Sequence, residues 1–398
     1  MSGAGHRLRI GYIPLVDAAA LIIAVRKRFA AAEGLDVDLV REVSWSNVRD
    51  KLNIGLFHAA HLLSPLAIAS SLGIGHVRVP LVAPCNLGLN GNAITVTPAL
   101  FDALSDVTDG DLTDSLTSAR ALARLVARRR ARGLEPLTFG MTFPFSNHNY
   151  QLRFWMAVGG VDPDEDVRLV VLPPPYMADS LASGHVDGFC VGAPWNSVAV
   201  DLGIGRILHF GSDLFARISE KVLAVRTAWA EEEPDALQGL IRALARGAAY
   251  VAEPENRDEV ATILASPDYI AVRKDLIRDT LDGTLRIGAN AVARTDSRYL
   301  LIGGGASARP DPVQAAWIYA QMVRWGQAPL SPDLADDARA VYRADLFDAA
   351  LGATQARPQD LAGDRIGAFT GPVFDDGNIG AYLAQCAIGR NRLRIASE

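Results

Sequence analysis

The sequence predicts an α/β protein built from two similar lobes that face each other across a cleft. The main observation is an internal repeat, because LRIGYIPLVDAAAL near the N-terminus is matched by LTFGMTFPFSNHNYQL further along the chain. Gly11 corresponds to Gly140 and Gly55 to Gly184, with the same separation in sequence. Each copy is predicted to run strand, polar turn, helix, strand, turn, helix, glycine, strand. With 398 residues, the chain is also too long for one compact core.

The first copy begins with a strand over 8–13, and Asp17 is placed to cap a helix over 18–32. Ser44 and Ser46 are predicted to cap the next helix. The remaining elements of this copy are strands over 37–42 and 58–63 and helices over 48–55 and 65–72. The second copy covers about 137–195 and follows a helix over 113–132.

The rest of the chain connects and extends the two copies. A strand over 92–97 is expected to cross into the second lobe, and one over 222–226 to return to the first. Beyond Pro234, the apolar periodicity predicts helices at 235–252, 257–265, 313–325 and 333–347. We therefore predict three parts: residues 1–95, the first part of lobe one; residues 96–222, lobe two; and residues 223–398, a return to lobe one plus a C-terminal helical extension.

Composition and charge argue against several classes of protein. The hydrophobic content of 49% suffices for well-buried cores, and the formal net charge of −6 offers no electrostatic footprint for nucleic acid. The one basic run, RLVARRRAR at 124–132, has a helical pattern and is interpreted as a solvated helix face. No stretch approaches the roughly 20 apolar residues of a membrane span.

The N-terminus and the cysteines bear on the compartment. Residues 1–9 are short and polar, and no apolar signal segment comes before the first strand. Cys85, Cys190 and Cys386 are odd in number and lack metal-like spacing. We therefore expect a cytoplasmic protein that does not associate with membranes, although a chain whose signal peptide had been removed would look the same.

The repeat also indicates where a ligand should bind. In open α/β sheets, ligands bind beyond the carboxyl ends of the strands. That place is 14–17 and 44–47 in the first copy, and 143–148 and 173–176 in the second. Both polar turns open helices, whose free N–H groups and positive dipole ends favour a small anion.

Side chains at these turns suit an anion. Trp45 stands at a predicted helix start, where its ring offers a flat wall and its N–H a donor, although a core Trp is the alternative. His148 lies at the second polar turn, and Lys221 directly precedes an apolar strand. Asn92 follows Gly91, which permits a close backbone approach. None has a carboxylate partner nearby in sequence that suggests proton transfer, so we expect no catalytic residue, metal or other cofactor.

The chain resembles the nitrate-binding family in six segments that occur in the family's order over roughly residues 8–350. They are RIGYIPLVDAAAL, REVSWSNVRDKL, LNGNAI, HNYQLRFWMAVGG, GFCVGAPWN and AAWIYAQMVRWGQ. The family contains solute-binding proteins of nitrate and bicarbonate ABC transporters and cytoplasmic nitrate/nitrite sensors of the NasS type. The resemblance implies a type II periplasmic-binding-protein fold, a two-lobed clamshell.

The resemblance also implies a ligand site. By position, the nitrate contacts are expected from Trp45, Asn92, His148 and Lys221, with Gly91, Pro174, Val191 and Gly192 lining the same pocket. Two departures matter: transport members have Glu where Ala193 stands, and Gln where Asn92 stands. The missing Glu argues against a bicarbonate- or metal-assisted site and removes a like charge from an anion pocket. Asn92 keeps the amide but shortens its reach.

Three functions remain open, led by a cytoplasmic nitrate/nitrite sensor. Residues from both lobes are needed to hold the anion, so binding is expected to close the clamshell. For such sensors the resemblance implies a partner, a response-regulator-like transcription antiterminator with an RNA-binding domain, which is released when nitrate binds. This chain itself is not expected to contact RNA. The alternatives are the solute-binding subunit of a nitrate-type ABC transporter and an enzyme resembling thiamine-pyrimidine synthases.

Overall fold

Two mixed β-sheets, each flanked by helices, form the two lobes of the protein. A computed structural model describes residues 6–303, 307–352 and 365–390. The fold is the α/β clamshell of periplasmic-binding proteins that the repeat and the resemblance predict.

The strands, in chain order, are β1 (His6–Tyr12), β2 (Leu35–Arg41), β3 (Ala59–Leu63), β4 (Leu81–Asn90), β5 (Asn92–Val96), β6 (Thr138–Met141), β7 (Arg168–Val171), β8 (Gly188–Gly192), β9 (Arg206–Phe210), β10 (Ser219–Arg226), β11 (Thr284–Arg286), β12 (Ala293–Thr295) and β13 (Leu300–Leu301).

The α-helices are α1 (Ala19–Arg26), α2 (Phe29–Ala32), α3 (Trp45–Asn53), α4 (Ser64–Leu72), α5 (Pro98–Ser105), α6 (Ser115–Ala131), α7 (Asn147–Gly159), α8 (Met177–Ala182), α9 (Trp195–Asp201), α10 (Gly211–Leu214), α11 (Thr227–Glu232), α12 (Pro234–Ala252), α13 (Arg257–Ala265), α14 (Lys274–Asp282), α15 (Pro312–Arg324), α16 (Pro332–Val341), α17 (Ala344–Leu351) and α18 (Ile379–Ala384). Short 3-10 turns lie at Val16–Ala18, Pro174–Tyr176 and Pro254–Asn256. Within the described ranges, no helix combines the length and apolar character that crossing a membrane requires.

The sheet topology confirms the internal repeat. The first sheet has the order β13-β4-β10-β3-β1-β2, and the second has the order β7-β6-β8-β5-β9. β1 runs parallel to β2 and β3, as β6 does to β7 and β8. Gly11 pairs with Ala60, and its counterpart Gly140 pairs with Phe189. The parallel strands of the two copies therefore share their order, and the pairs β1–β3 and β6–β8 share their register.

Burial follows from the position of each strand in its sheet. Every residue of β3, β5 and β8 is buried, because these central strands are covered by helices on both faces. The edge strands β2 and β7 instead carry exposed residues along their length. This explains why the central strands appear in the sequence as continuous apolar runs.

Each sheet contains an antiparallel strand that directly follows a crossing of the chain between the lobes. β5 lies antiparallel between β8 and β9 in the second sheet, and β10 lies antiparallel between β3 and β4 in the first. The backbone ladders therefore place the crossing just before Asn92 and the return at Ser219. Both points come a few residues earlier than the predicted divisions at 95/96 and 222/223, which cut through these two strands.

Asn90 ties the two crossing segments together. It is buried and has a left-handed backbone, with φ 59°. Its side-chain N–H₂ group donates to the carbonyl oxygens of Ala216 and Arg298 at 3.1 and 2.9 Å, and its Oδ1 accepts from the Ile218 N–H at 3.0 Å. The following residue, Gly91, also has a positive φ of 87°. The outgoing and returning chains are thus fixed to each other at the hinge between the lobes.

The C-terminal region packs on both lobes. α12 lies along α1 in the first lobe, as expected for an extension that wraps lobe one. However, Gln327 accepts a hydrogen bond at 2.7 Å from the Tyr150 hydroxyl of α7 in the second lobe. The hairpin of β11 and β12 also belongs there, because the Ile207 N–H donates to the Ile287 carbonyl oxygen at 2.9 Å. The extension therefore packs on lobe one and also contacts lobe two.

Several elements differ from the sequence prediction for local reasons. The helix predicted at 18–32 is split, because Arg28 adopts a left-handed conformation between α1 and α2. The helix predicted at 333–347 is likewise two helices, α16 and α17. β4 was not predicted, since Pro84 and Gly88 interrupt it and Asn86 is polar. Asn86 is nevertheless satisfied in the core, where its side-chain N–H₂ group donates to the carbonyl oxygens of Ser307 and Arg309.

We predict that Asn90→Ala lowers the free energy of unfolding by about 2–4 kcal/mol, because it removes buried hydrogen bonds and leaves alanine in a left-handed conformation. Urea unfolding followed by circular dichroism measures the change. Asn290→Ala, in an exposed turn, is the matched control and should stay within about 0.5 kcal/mol of the wild type. Equal stability of the two variants would contradict the role assigned to Asn90.

Candidate functional site

The site lies where the carboxyl ends of the parallel strands of both sheets meet. β3 ends at Leu63, which pairs with Lys221 near the start of the antiparallel strand β10. β8 ends at Gly192, which pairs with Asn92 at the start of the antiparallel strand β5. The strands β5 and β10 therefore begin at the cleft and bring Lys221 from one lobe towards Asn92 from the other.

Lys221 is the central charge of the site. Its side chain is fully buried, and its Nζ lies 2.8 Å from Glu220 Oε1 and 3.1 Å from Asp17 Oδ2. Burial alone would lower the pKa of Lys221, but the carboxylates of Asp17 and Glu220 outweigh it and raise this pKa above its ordinary value. The ammonium group is thus charged, and it lies 5.4 Å from the centre of the Trp45 ring.

Glu220 shares the site with Lys221 although the two are neighbours in a strand. Regular strand geometry would place them on opposite faces, but the pairing with β4 shifts register on both sides of Lys221. Glu220 Oε2 also accepts a hydrogen bond from the Asn92 amide at 2.7 Å. Lys221 therefore has a carboxylate partner next to it in sequence, which the sequence analysis did not expect. Although the resemblance predicts a pocket with one carboxylate fewer at Ala193, Glu220 places a carboxylate in the site.

Asp17 contributes a second carboxylate. It was predicted to cap the first helix, but its side chain makes no capping hydrogen bond and instead points into the site. Its Oδ1 lies 2.8 Å from His61 Nε2 and its Oδ2 faces Lys221. Burial alone would raise the pKa of Asp17, but the charges of Lys221 and His61 and their hydrogen bonds to the carboxylate lower this pKa to about 2. Asp17 is therefore an anion.

His148 comes from the second lobe, in the first turn of α7, which is capped by the hydroxyl of Ser146. Its Nδ1 lies 3.0 Å from Thr142 Oγ1 and 3.6 Å from Glu220 Oε1. Burial lowers the pKa of His148 to about 4, with Lys221 acting in the same direction and Glu220 against it. The imidazole is consequently neutral near pH 7, and its Nε2 has no hydrogen-bond partner within the described protein.

Trp45 forms the wall of the site in the first lobe. It is the first residue of α3, whose N-cap is Ser44, with the hydroxyl accepting from the Asn47 N–H at 3.3 Å. Only 1% of Trp45 is exposed, and its ring centre lies 5.7 Å from that of His61. The capped turn predicted at 44–46 thus brings the indole into the cleft, where its N–H finds no acceptor in the described protein.

Six buried polar atoms around Lys221 have no hydrogen-bond partner in the part of the chain that the structure describes. They are Trp45 Nε1, His61 Nδ1, Asn92 Oδ1, Asn147 Oδ1, His148 Nε2 and Gln151 Nε2. Buried polar groups in folded proteins are nearly always hydrogen-bonded, so such a concentration marks a place where a ligand or water binds. Two of these atoms, the Trp45 and Gln151 nitrogens, are donors, and the tautomer decides the role of the His148 nitrogen.

Two predicted backbone contacts already have partners inside the protein. The Gly91 N–H donates to the Tyr299 carbonyl oxygen at 2.6 Å, and the Gly91 carbonyl accepts from the Ala193 N–H at 2.9 Å. The Val191 carbonyl accepts from the side chain of Asn196 at 2.7 Å. Both residues border the site, and a ligand contact from them stays a prediction.

The other two predicted lining residues, Gly192 and Pro174, lie at different distances from the site. Gly192 is beside the site, since a Cβ added to it would lie 3.5 Å from Asn92 Oδ1. Pro174 is buried in the 3-10 turn after the edge strand β7, which β6 separates from β8. The site role of Pro174 also stays a prediction.

The sequence analysis did not identify five polar side chains as members of the buried site cluster: Asp17, His61, Asn147, Gln151 and Glu220. Two signals were present, because SEKVLAV places opposite charges in a buried strand and AAHLL places a histidine in another. Asn147 is linked to the first lobe, donating to the Ser219 carbonyl oxygen at 2.6 Å. Among the described residues, no three His, Cys, Asp or Glu side chains are arranged to hold a metal ion.

The pKa of His148 predicts a pH-dependent stability. The unfolded side chain binds a proton below about pH 6.5, whereas the folded one stays neutral until about pH 4, so stability is lost as the pH falls through this window. Between pH 7 and pH 5, His148→Gln should lose about 2 kcal/mol less unfolding free energy than the wild type. Urea titrations at both pH values test this. The control His185→Gln, at an exposed position, should follow the wild type, and identical losses in all three proteins would contradict the prediction.

Comparison with known proteins identifies relatives of this architecture. The profile of the NMT1-like family matches residues 4–265. The chain is 31% identical over 387 residues to the nitrate/nitrite binding protein NrtA of Synechococcus elongatus, covering 94% of this chain and 84% of NrtA. It is 33% identical over 392 residues to the bicarbonate transport ATP-binding protein CmpC of Synechocystis sp., covering 96% of this chain. This alignment covers 55% of CmpC, so the chain spans about half the length of that relative.

A solved structure agrees with the sequence relationship. The crystal structure of the periplasmic nitrate-binding protein NrtA from Synechocystis matches with a TM-score of 0.86 at 28% identity. The match covers 96% of this chain and 98% of NrtA, so both lobes and the C-terminal region have counterparts. The chain therefore belongs to the NMT1-like family and is a relative of the nitrate/nitrite binding proteins.

Proposed function

We propose that the chain binds nitrate or nitrite between its lobes and serves as a cytoplasmic sensor of these anions. One observation carries the binding proposal: Trp45 Nε1 and His148 Nε2 come from opposite lobes, have no hydrogen-bond partner among the described residues, and belong to side chains beside the ion cluster of the buried Lys221. The relationship to NrtA, which is named for nitrate and nitrite, supports the same class of ligand.

The chemistry of nitrate fits this arrangement. Nitrate is planar and monovalent and accepts hydrogen bonds weakly, so a dry site must offer several donors at once. Lobe one supplies Trp45 Nε1 and the charge of Lys221, and lobe two supplies Gln151 Nε2 and the imidazole of His148. A ligand that contacts both lobes binds the closed clamshell more tightly than the open one, and thereby favours closure.

Trp45→Phe tests the ligand site while it keeps an aromatic wall. We expect micromolar binding of nitrate or nitrite to the wild type in a calorimetric titration, and about tenfold weaker binding to the variant, which lacks the indole donor. Trp229→Phe, a buried tryptophan elsewhere in the first lobe, should bind as the wild type does. Lys221→Ala should abolish binding if circular dichroism shows that it folds. Bicarbonate and sulfate are titrated in parallel, and preferential binding of either would reject the nitrate assignment.

The sensor proposal extends beyond ligand binding. Closure provides an output that a partner protein is able to detect, and the free thiols Cys85, Cys190 and Cys386 suit a reducing compartment. The solute-binding subunit of a nitrate-type ABC transporter is an equally supported alternative, because NrtA of Synechocystis is a periplasmic protein. Catalysis is not part of the proposal, since the relatives of comparable length are binding proteins.

The proposed partner is a response-regulator-like antiterminator with an RNA-binding domain. We expect the two proteins to co-elute in gel filtration without nitrate and to separate when nitrate is added, because closure changes the rims of the cleft. Trp45→Phe should need about tenfold more nitrate for release, in step with its weaker ligand binding. Alanine substitutions on both rims should weaken the complex. Co-elution that nitrate does not affect would reject the sensor role and leave the transporter alternative.

A further inference from the structure

The buried cluster already carries an excess negative charge before an anion enters. Each carboxylate oxygen of Asp17 faces one group: Oδ1 faces His61 Nε2, and Oδ2 faces the ammonium group of Lys221. Each oxygen of Glu220 also accepts from a donor: Oε1 from the ammonium group of Lys221, and Oε2 from the side-chain amide of Asn92. Oxygens that all face donors belong to ionised carboxylates. Two carboxylates thus surround one ammonium group, and all three of these side chains are almost completely buried. The fourth member, His61, contacts only Asp17 through Nε2, while its Nδ1 has no hydrogen-bond partner among the described residues.

A monovalent anion added to such a cluster needs an additional positive charge. A buried ion without a compensating partner costs several kcal/mol, and Lys221 is already shared between two carboxylates. Nitrate brings no proton of its own at neutral pH. The required charge must therefore come from a group of the protein or from solution.

His148 is positioned to supply this charge. Its Nε2 has no partner among the described residues, and its Nδ1 faces Thr142 and lies 3.6 Å from Glu220 Oε1. A proton on the ring would let one nitrogen donate towards Glu220 while the other donates to the incoming anion. The imidazolium would then stand between two negative groups, which is the arrangement that favours its charged form.

We propose that the anion binds together with one proton, which the His148–Glu220 pair takes up, and that Glu220 is the residue that imposes this requirement. The proposal rests on the proposed function and specifies how the same site is regulated. The proton belongs to the coupled pair, because the two groups face each other in a buried site.

The surroundings of His148 set the balance in the free protein. From β10, Glu220 favours the imidazolium and Lys221 opposes it, and Asp17 favours it from the 3-10 turn at Val16–Ala18. Thr142 at the end of β6 is a neutral partner, and the N-terminal end of α7 disfavours a cation. A bound anion adds a third negative neighbour and reverses the outcome. In the range where only the complex is protonated, the Kd for nitrate should rise about tenfold per pH unit.

Calorimetric titration with nitrate in buffers of different ionisation enthalpy counts the protons taken up. Near pH 6.5, which is well above the pKa of about 4 for His148 in the free protein, the wild type should take up close to one proton and show the tenfold slope. E220Q removes the excess charge, so it should bind nitrate with no proton uptake and a flat pH profile. H185Q, an exposed histidine variant, should behave as the wild type does.

Three results would overturn the proposal: nitrate binding to the wild type without proton uptake, binding that requires an added divalent cation, or unchanged uptake in E220Q. If E220Q does not fold, the proton count and pH slope of the wild type alone decide the matter. Absence of any anion binding to the wild type, at every pH, would instead reject the proposed function on which this inference rests.

Discussion

The ion triad of Lys221, Asp17 and Glu220 is the constraint on which the rest of the site depends. A fully buried ammonium group is tolerated only with close, hydrogen-bonded counter-ions, and each carboxylate comes from a different local structure. One belongs to a 3-10 turn in place of a helix cap, and the other to an irregular strand pairing that turns two neighbours into the same cleft. The remaining donors are arranged around this fixed charge.

Both lobes contribute to the cluster because the chain crosses between the sheets at the cleft itself. The strands β5 and β10 begin there, so Asn92 and Lys221 lie close to the crossing segments rather than at the outer rims of the lobes. Asn90 holds the two crossing segments together with hydrogen bonds to the returning chain. The geometry of the ligand site and the geometry of the hinge are therefore set by the same few residues.

The sequence repeat predicted the fold well because paired glycines, capped turns and apolar runs are local signals. The turn that presents Trp45 and the turn that presents His148 were both located in this way. Glu220 was missed because the irregular pairing with β4 turns it to the same side as Lys221, where a regular strand would alternate the two side chains. β4 was itself not predicted, because Pro84 interrupts its strand-like pattern. Asp17 was assigned to a cap because its counter-ions, His61 and Lys221, are remote in sequence. Long-range contacts of this kind leave no local pattern.

The late return of β10 to the first sheet has a consequence for how the protein is synthesised. The first sheet lacks an internal strand until residue 226 has left the ribosome, because β10 lies between β3 and β4. Until then, the nascent chain exposes two unpaired strand edges in a highly apolar segment, which is a hazard for aggregation. The second sheet takes all five of its strands from one continuous stretch, Asn92 to Phe210, whereas the first sheet is complete only after the chain returns with β10. Folding of the first lobe therefore depends on non-local pairing.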